Sequence, residues 1–574
     1  MPEGEAPLPL RALLAADARR SRALQQSRFG YAPRSWWLDP GFVAVLLFRL
    51  SHAAHRRGGG KRARLLMQLN SLLTGADFHP AASIGPGLLV PSPFSTNLSC
   101  DAGARLTLMG QAGIGGSNAR IDVGAGPGLP LLGNDVRAER FFGINGPFVY
   151  ADGARVVAGA GAVRGAAAGE TLRPTVDPEV RLRTPECAAP PVPRPPCQHR
   201  CLAATLEDWR ADIRHYLAEE NRYDPRPASF ARKLSAAMTN PLTALLIQRL
   251  AHWLDCNGWR RFARLLTGVN LLAWKLTMPP ETCLGGGVLL PHLAGIVVEG
   301  RLGAQVTLYA NTVCSGWGAQ PGTGPMIGDG VTVGGHSGVI GPVTLGRDVH
   351  LSPKVQFAGD APEGTQLFSR SAYSRSTAEH EPEPMPHPDF SPPDEQPLTQ
   401  ILAGDRTRIQ AFRAAGGRIG LFARTAVRLH RYAHDRYARG KCRRARMAWL
   451  ANCYLTGADI SPASRIGSGF IAPYPAGLVF HGCAGSELTM MAMCGVGASL
   501  DAEDRLSPLA AAPWLGDRVR LDHHAQVDGA VRIGDDGRIM PGCNARTDLP
   551  AGHELAMYPT RQRRSGAPET VARR

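Results

Sequence analysis

A six-residue spacing of small and aliphatic side chains runs through three separate stretches of the sequence. Neither an α-helix, with 3.6 residues per turn, nor a β-strand, with a period of two, repeats at six. A triangular β-solenoid does, because each flat face turns one side chain inward and stacked coils bury the resulting column. The repeated positions are Ile84, Val90, Thr96, Ala102, Leu108 and Ile114 in the first stretch, Leu284, Leu290, Ile296, Leu302, Leu308, Cys314, Ile327, Val333, Val339, Leu345, Leu351 and Phe357 in the second, and Ile466, Ala472, Leu478, Ala484, Met490, Val496, Leu515, Leu521, Val527, Ile533, Ile539 and Ala545 in the third.

Each stretch follows a similar lead-in segment. Residues 70–77 read Asn-Ser-Leu-Leu-Thr-Gly-Ala-Asp, and residues 452–459 read Asn-Cys-Tyr-Leu-Thr-Gly-Ala-Asp. The middle lead-in begins at Asn270, and in all three the first repeated residue comes fourteen positions after the asparagine. Matched lead-ins before three such runs predict three related copies in tandem, because chance would not align both features.

A helical block is predicted before each solenoid, since residues 42–55, 242–252 and 419–434 carry apolar residues at helical spacing. Two Pro-rich stretches separate the copies and are predicted to be exposed, mobile linkers. The predicted order is copy 1 at 1–170 (helical block 8–75, solenoid 77–170), a linker at 171–204, copy 2 at 205–370 (helical block 205–276, solenoid 277–370), a linker at 371–399, copy 3 at 400–560 (helical block 400–457, solenoid 459–560) and a disordered basic tail at 561–574.

The net charge of +16 comes mostly from arginines spread along the chain. Aromatic residues do not alternate with basic ones and no finger spacing is present, so nucleic-acid binding is not expected. A mildly positive field does suit an anionic cofactor. The apolar run at 41–48 is too short to span a bilayer and ends at Arg49, and the N-terminus does not read as a signal peptide. These features predict a cytoplasmic protein without a membrane span.

The twelve cysteines are scattered, which is typical of buried thiols in a reducing compartment rather than of a disulfide framework. Cys187, Cys197 and Cys201 lie close together with His199 in a Pro-rich segment. Their spacing matches no zinc motif, so the sequence favours a plain linker and predicts no metal. The role of these three thiols is left open.

The middle copy resembles serine O-acetyltransferases and their hexapeptide-repeat relatives. The similarity is carried by residues 216–227, 248–252, 289–296 and 325–335, and extends in a more degenerate form to the other copies. It implies a mainly β fold with α-helices, in which each of three left-handed parallel β-helix domains follows a helical block. Family members form trimers that bind acyl-CoA between neighbouring solenoids, so three copies in one chain imply an intrachain pseudo-trimer, and pairing of helical blocks would give a homodimer of pseudo-trimers.

The resemblance also implies an O-acetyltransferase that uses acetyl-CoA and a small hydroxyl-bearing acceptor. An acyl thioester is already activated, so the acceptor hydroxyl must lose its proton as it attacks, and a neutral histidine is a suitable base. The family's catalytic histidine corresponds to His292. Its equivalents are Ser92 and Tyr474, so only the middle copy would be catalytic.

Other family positions are altered here. The aspartate that orients the catalytic histidine corresponds to Asp77, Thr277 and Asp459, so no copy has both members of the pair. Three further family residues are replaced in every copy: the second histidine by Leu129, Gly324 and Ala512, the serine-linked arginine by Gly128, Thr323 and Ala511, and the serine-linked aspartate by Pro91, Pro291 and Pro473. A Pro-His pair without the second histidine is typical of the branch that acetylates polysaccharide sugars.

Three hypotheses therefore stay open. The first is a serine acetyltransferase-like enzyme, the second a sugar O-acyltransferase of the same fold, and the third a non-catalytic scaffold descended from the enzyme. His336, His523 and His524 are expected at solvated coil corners, and the helical histidines as packing or surface groups. Loops at 115–131, 315–326 and 497–514 are expected to reach across the grooves between solenoids.

Overall fold

A computed structural model describes most of the chain. The described residues are 8–31, 33–115, 130–139, 143–145, 148–157, 161–162, 165–172, 179–182, 199–221, 229–293, 295–316, 324–368, 397–497, 500, 503, 505–556 and 561–564. The chain divides into two compact units. Unit 1 comprises Met1–Glu186, Leu271–Leu276 and Ser371–Tyr558, and unit 2 comprises Cys187–Asn270, Thr277–Arg370 and Pro559–Arg574.

Helices precede each run of strands. A left-handed glycine, Gly75 or Gly457, ends the last helix before the first and third runs, which allows the chain to turn sharply into the first coil. The helices are α1 (Leu10–Phe29), α2 (Pro40–Arg56), α3 (Gly60–Thr74), α4 (Leu202–Asn221), α5 (Phe230–Ala237), α6 (Asn240–Cys256), α7 (Arg260–Trp274), α8 (Leu398–Ala414), α9 (Leu421–Ala438) and α10 (Cys442–Thr456). Among the described helices, none is long and apolar enough to cross a membrane.

The strands are two to four residues long. Those of the first copy are β1 (Asp77–Phe78), β2 (Asn97–Leu98), β3 (Asp101–Ala102), β4 (Thr107–Leu108), β5 (Gly113–Gly115), β6 (Leu131–Leu132), β7 (Arg137–Ala138), β8 (Gly143–Asn145), β9 (Val149–Tyr150), β10 (Arg155–Val156), β11 (Gly161–Ala162), β12 (Thr171–Leu172) and β13 (Glu179–Leu182). Those of the middle copy are β14 (Cys283–Leu284), β15 (Val297–Val298), β16 (Arg301–Leu302), β17 (Thr307–Leu308), β18 (Val313–Ser315), β19 (Met326–Ile327), β20 (Thr332–Val333), β21 (Gly338–Ile340), β22 (Thr344–Leu345), β23 (His350–Leu351), β24 (Gln356–Phe357) and β25 (Thr365–Phe368).

The remaining strands are β26 (Asp459–Ile460), β27 (Arg465–Ile466), β28 (Val479–Phe480), β29 (Cys483–Ala484), β30 (Thr489–Met490), β31 (Gly495–Val496), β32 (Trp514–Leu515), β33 (Arg520–Leu521), β34 (Gln526–Val527), β35 (Arg532–Ile533), β36 (Arg538–Ile539), β37 (Asn544–Ala545), β38 (His553–Ala556) and β39 (Arg561–Arg564). Strands of successive coils pair in parallel, and each run forms three sheets. In the middle copy the sheet orders are β14-β16-β19-β22, β15-β18-β21-β24 and β17-β20-β23-β25. Three parallel sheets per run give each solenoid a three-sided cross-section.

The six-residue repeat forms the interior of these solenoids. Every repeated residue named in the sequence analysis is buried, from Ile84 in the first copy to Ala545 in the third. Burial of one aliphatic side chain contributes about 1.5–3 kcal/mol, so the stacked columns are the main source of stability in coils whose strands are this short. The asparagine of each lead-in is buried as well: Asn70, Asn270 and Asn452 donate from Nδ2 to the carbonyls of Ala44, Ala244 and Ala426.

Within unit 1 the first and third copies are in direct contact. Phe29 and Phe94 form one apolar cluster with Trp449, whose ring lies 5.4 Å from that of Phe29. Arg28 is paired with Asp459 at 3.4 Å between buried side chains, and the Gln111 amide donates to the carbonyl of Gly477. The pseudo-trimer of all three copies stays a prediction.

The ends of the solenoids depart from the sequence prediction. In unit 1, β12 and β13 lie inside the stretch predicted as a mobile linker, and β13 pairs antiparallel with β38. In unit 2, β39 pairs antiparallel with β25, although residues 561–574 were expected to form a disordered tail. An open solenoid end exposes unpaired backbone groups, and an antiparallel strand from elsewhere in the chain satisfies them. The linker at 371–399 lies mostly outside the described residues.

Candidate active site

The first coil of each solenoid contains one widened corner. In the middle copy Leu290 and Leu308 occupy the same place in successive coils, and so do Val298 and Cys314. Val298 lies eight positions after Leu290, whereas Cys314 lies only six after Leu308. The six-residue repeat predicts Ile296, rather than Val298, as the residue stacked on Cys314. Ile296 is buried, but Val298 is the residue that pairs with Cys314. The two extra residues enlarge the corner that carries His292.

A buried ion pair fixes the chain just before this corner. Arg249 of α6 binds Asp212 of α4 through two hydrogen bonds of 2.7 Å, and both side chains are buried. Charge-assisted, two-pronged pairs of this kind are strong and directional. The same two side chains hold the first coil: Arg249 donates to the carbonyls of Leu284 and Gly285, and Asp212 accepts from the backbone N–H groups of Gly287 and Val288. The turn leading to His292 is therefore tied to the helical block.

The outer copies contain the same arrangement. Arg49 pairs with Asp17 in the first copy, and Arg431 pairs with Asp405 in the third. Asp17 accepts from Gly87 and Leu88, and Asp405 accepts from Gly469 and Phe470. The chain pairs Leu98 with Ile114 and Phe480 with Val496, so these corners are widened too. The three corners are thus structurally equivalent and can be compared directly.

The three corners differ in the residue at the position of His292. Ser92 is 4% exposed and packs against Gly110, and its Oγ has no hydrogen-bond partner among the described residues. Tyr474 is also 4% exposed, and its ring lies 5.7 Å from that of His523. His292 is only half-buried. Of the three, only the middle corner has a histidine at this position, and that side chain is the most exposed of the three.

The position of the orienting aspartate has taken on different roles. In the middle copy the Oγ1 of Thr277 has no hydrogen-bond partner among the described residues. In the third copy Asp459 accepts from Trp449 Nε1 at 2.8 Å and pairs with Arg28. Asp459 is therefore used in packing the third copy against the first. No described carboxylate at this position is shown to hold a catalytic histidine.

The position of the family's second histidine is closed in the middle copy. A Cβ atom on Gly324 would lie 2.6 Å from the carbonyl oxygen of Glu299, so a side chain there requires the backbone to move. In the third copy Ala512 follows a 3₁₀ turn at Leu509–Ala511 and is buried. Leu129, Gly128 and Thr323 lie outside the described residues, as do residues 116–129 and 317–323 of the first two predicted loops and residues 498–499, 501–502 and 504 of the third.

The expectation that the other solenoid histidines are solvated was wrong. His336, His523 and His524 are 6%, 2% and 0% exposed. His336 and His524 also have positive φ angles. Burial lowers the pKa of His523 to about 4, so this imidazole is neutral at physiological pH. These histidines belong to the packed corners rather than to an exposed second site.

The cysteine-rich segment is only partly described. Cys187 and Cys197 lie outside the described residues, and Cys201 is an exposed thiol just before α4. The ten described cysteines are all free thiols.

Comparison with known proteins points to one group. The serine acetyltransferase of Mycobacterium tuberculosis is 33% identical over 113 residues, which cover 18% of this chain and 46% of that protein. The serine acetyltransferase of Helicobacter pylori strain J99 is 33% identical over 126 residues, which cover 18% of this chain and 74% of that protein. The match therefore spans about half of the first relative and about three quarters of the second. No protein-family model matches the chain.

Solved structures of the same group are similar to part of the chain. Soybean serine acetyltransferase in complex with serine is 23% identical, with a TM-score of 0.26, and the alignment covers 30% of this chain and 70% of that chain. Serine acetyltransferase from Brucella abortus is 21% identical, also with a TM-score of 0.26, and the alignment covers 30% and 70%.

Proposed function

Because the chain belongs to the serine acetyltransferase family of hexapeptide-repeat acyltransferases, we propose that it transfers an acetyl group from acetyl-CoA to a hydroxyl acceptor, with His292 as the general base. The observation that carries this proposal is the comparison of the three widened corners. Ser92 and Tyr474 are closed over, and neither is a base near neutral pH. His292 is half-buried and has the side chain that the reaction needs.

In the proposed step the neutral imidazole of His292 accepts the proton of the acceptor hydroxyl. The hydroxyl oxygen bonds to the thioester carbonyl carbon, the carbon–sulfur bond breaks, and the proton passes from the imidazolium to the departing thiolate. The products are an O-acetyl ester and coenzyme A. The buried Arg249–Asp212 pair holds the turn before His292 in place, so the base needs little reorganisation before reaction.

Free L-serine is a poor candidate for the acceptor. In the family an aspartate precedes the catalytic histidine, whereas Pro291 stands there in this chain. A second histidine cannot be accommodated at Gly324 because of the Glu299 carbonyl. We therefore favour a sugar hydroxyl, which carries neither the amino nor the carboxylate group that the missing residues would bind.

A second candidate is a non-catalytic scaffold. It is favoured by Thr277, which replaces the carboxylate that would orient His292 and whose Oγ1 lacks a partner among the described residues. The two candidates differ in a direct measurement, because only an enzyme releases free thiol from acetyl-CoA in an acceptor-dependent way.

The test is turnover of acetyl-CoA by the full chain with a panel of sugar hydroxyl acceptors and L-serine, followed as thiol release. His292→Ala should lower turnover by about 10²–10⁴-fold while the fold is retained. Ser92→Ala serves as the matched control and should leave turnover unchanged.

A second experiment introduces a histidine at the equivalent position of the third copy. In the His292→Ala background, Tyr474→His should not restore turnover, because the third corner is closed. Unchanged turnover in His292→Ala would refute the role of His292, and absence of thiol release with every acceptor would favour the scaffold. Efficient turnover of L-serine would contradict the inference about the acceptor.

A further inference from the structure

We propose that unit 2 binds one zinc-class transition-metal ion through His199, His252 and Cys283. The three side chains come from the segment before α4, from α6 and from β14, and the structure brings one potential ligand atom of each within 4.8 Å of the others. His252 and Cys283 are buried, and His199 is partly buried. The cluster does not include His292, and the proposal does not depend on the acetyltransferase activity.

The hydrogen bonds of the two histidines identify the ring nitrogens that face the cluster. Nε2 of His199 lies 2.8 Å from a carboxylate oxygen of Asp208, and Nδ1 of His252 lies 2.7 Å from the carbonyl oxygen of Pro280. Because these oxygens are acceptors, the ring nitrogens that they contact carry the hydrogens in the neutral rings. Nδ1 of His199 and Nε2 of His252 are left with lone pairs, which is the form that a metal ion requires.

These outer contacts have the form of a metal site's supporting shell. Histidines that bind metal commonly donate their other N–H to a carboxylate or a backbone carbonyl, which fixes the ring orientation and raises the basicity of the ligand nitrogen. Asp208 provides the carboxylate for His199, and Pro280 provides the carbonyl for His252. The nearby Arg249 is paired with Asp212, which offsets its charge, and its Nη1 also lies 3.7 Å from the Asp208 oxygen that contacts His199.

One distance within the cluster matches tetrahedral coordination. Sγ of Cys283 lies 3.6 Å from Nδ1 of His199. With zinc–nitrogen and zinc–sulfur bonds of about 2.1 and 2.3 Å, two ligand atoms of a tetrahedral site are about 3.6 Å apart. Sγ of Cys256 lies 3.6 Å from Nε2 of His252, so a second thiol is available at the edge of the cluster. Mixed imidazole and thiolate ligands favour zinc over the harder magnesium and calcium ions.

The other copies show which part of this arrangement is structural. His52 and His434 occupy the place of His252, and their Nδ1 atoms contact the carbonyls of Pro80 and Pro462 at 2.9 and 3.0 Å. That contact is therefore part of the shared framework and needs no metal. At these two thiol positions only the middle copy has cysteine. Cys283 is replaced by Ser83 in the first copy and Arg465 in the third, and Cys256 is replaced by Arg56 and Ala438.

A bound ion would join three elements that lie far apart in the sequence. It would attach the residues before α4 to α6 and to the first coil, near the turn that Arg249 and Asp212 already hold. No zinc motif is visible in the sequence because His199 and Cys283 are 84 residues apart and meet only in the folded chain. Structural ions of this kind stabilise the folded state.

The experiment uses the full chain purified under reducing conditions, loaded with Zn²⁺ or with Co²⁺ as a spectroscopic probe, and freed of loosely bound metal by gel filtration. We expect about one zinc ion per chain and, with cobalt, a thiolate-to-cobalt charge-transfer band with tetrahedral d–d bands. Chelation should lower the melting temperature of the wild-type chain.

Cys283→Ser and His199→Ala should each lower retained metal at least about tenfold and remove the effect of chelation on melting. Serine is the residue of the first copy at the position of Cys283, so this variant is expected to fold, which circular dichroism checks. Cys201→Ser and His52→Ala are the matched controls and should retain metal. Absence of stoichiometric metal in the wild-type chain, or equal retention by folded Cys283→Ser, would overturn the proposal.

Discussion

The middle and third copies share one scaffold and differ in what their widened corners do. Each corner follows a turn held by a buried Arg–Asp pair, formed by Arg249 and Asp212 in one copy and by Arg431 and Asp405 in the other. The middle corner presents a half-buried histidine, whereas the third is closed by Tyr474. The two copies share the ion pair and the widened corner, and they differ in the side chain that the corner presents.

The outer corners have become packing surfaces. Ser92 packs against Gly110, and Asp459 joins the third copy to the first through Arg28. Residues at the positions equivalent to His292 and Thr277 thus contribute to the interior of unit 1. A carboxylate that is buried in an ion pair is costly to remove, so the packing role is sufficient to explain why Asp459 is found there.

The largest expected effect comes from breaking the ion pairs. Asp212→Ala leaves Arg249 buried without its carboxylate and should destabilise unit 2 by about 3–5 kcal/mol. It should also abolish turnover, since two backbone N–H groups of the turn before His292 lose their acceptor. Urea unfolding and thiol release measure the two effects.

Asp405→Ala is the matched substitution in the third copy. It should destabilise unit 1 by a similar amount and leave turnover unchanged under conditions in which both units are folded. If both substitutions abolish turnover equally in folded protein, the middle corner does not act alone and the comparison between the copies fails.

An intermediate effect is expected from the pH dependence of unit 1. Burial raises the pKa of Asp39 from 3.8 to about 6, against the opposing effect of Arg28. Because the pKa of Asp39 is higher in the folded state than in the unfolded state, the protonated carboxyl stabilises the fold by about 3 kcal/mol below about pH 4. This stabilisation is lost as the pH rises through about 6. Asp39→Asn retains a side-chain acceptor for the N–H of Phe42 at the start of α2.

The measurement is the free energy of unfolding of unit 1 between pH 4 and pH 7. The difference between Asp39→Asn and wild type should grow in favour of the variant as the pH rises. Asp135→Asn, at an exposed ion pair with Arg105 in the same unit, should show no such trend. A parallel pH profile for Asp39→Asn and wild type would show that this carboxyl does not titrate in that range.

The smallest expected effect tests the missing orienting carboxylate. Thr277→Asp places in the middle copy the residue that the first copy has at Asp77. A carboxylate beside the imidazole stabilises its protonated form, so turnover should rise about tenfold. Thr277→Asn is the uncharged control and should leave turnover near the wild-type value. No gain from the aspartate would mean that His292 is already oriented by another group.

Part of this structure could be predicted from local sequence. The repeated aliphatic residues are buried as predicted because a period of six leaves few folds that can bury them all. The prediction failed for His336 and His524, which are buried although they were expected at solvated coil corners. Burial of these side chains depends on tertiary contacts rather than on spacing along the chain. It also missed β39, because a strand at the end of the chain is recognised only through its partner, β25.

The sequence by itself determined the period, the lead-in asparagines and the position of His292 within the middle copy, because each depends on spacing along one stretch of chain. Only the tertiary structure decided which corners are open and which are closed, and that His199, His252 and Cys283 meet. Exposure and ligand geometry depend on contacts between residues tens to hundreds of positions apart, as with Arg28 and Asp459. Such contacts leave no periodic trace in the sequence, since they are fixed by the packing of whole elements rather than by the conformation of one.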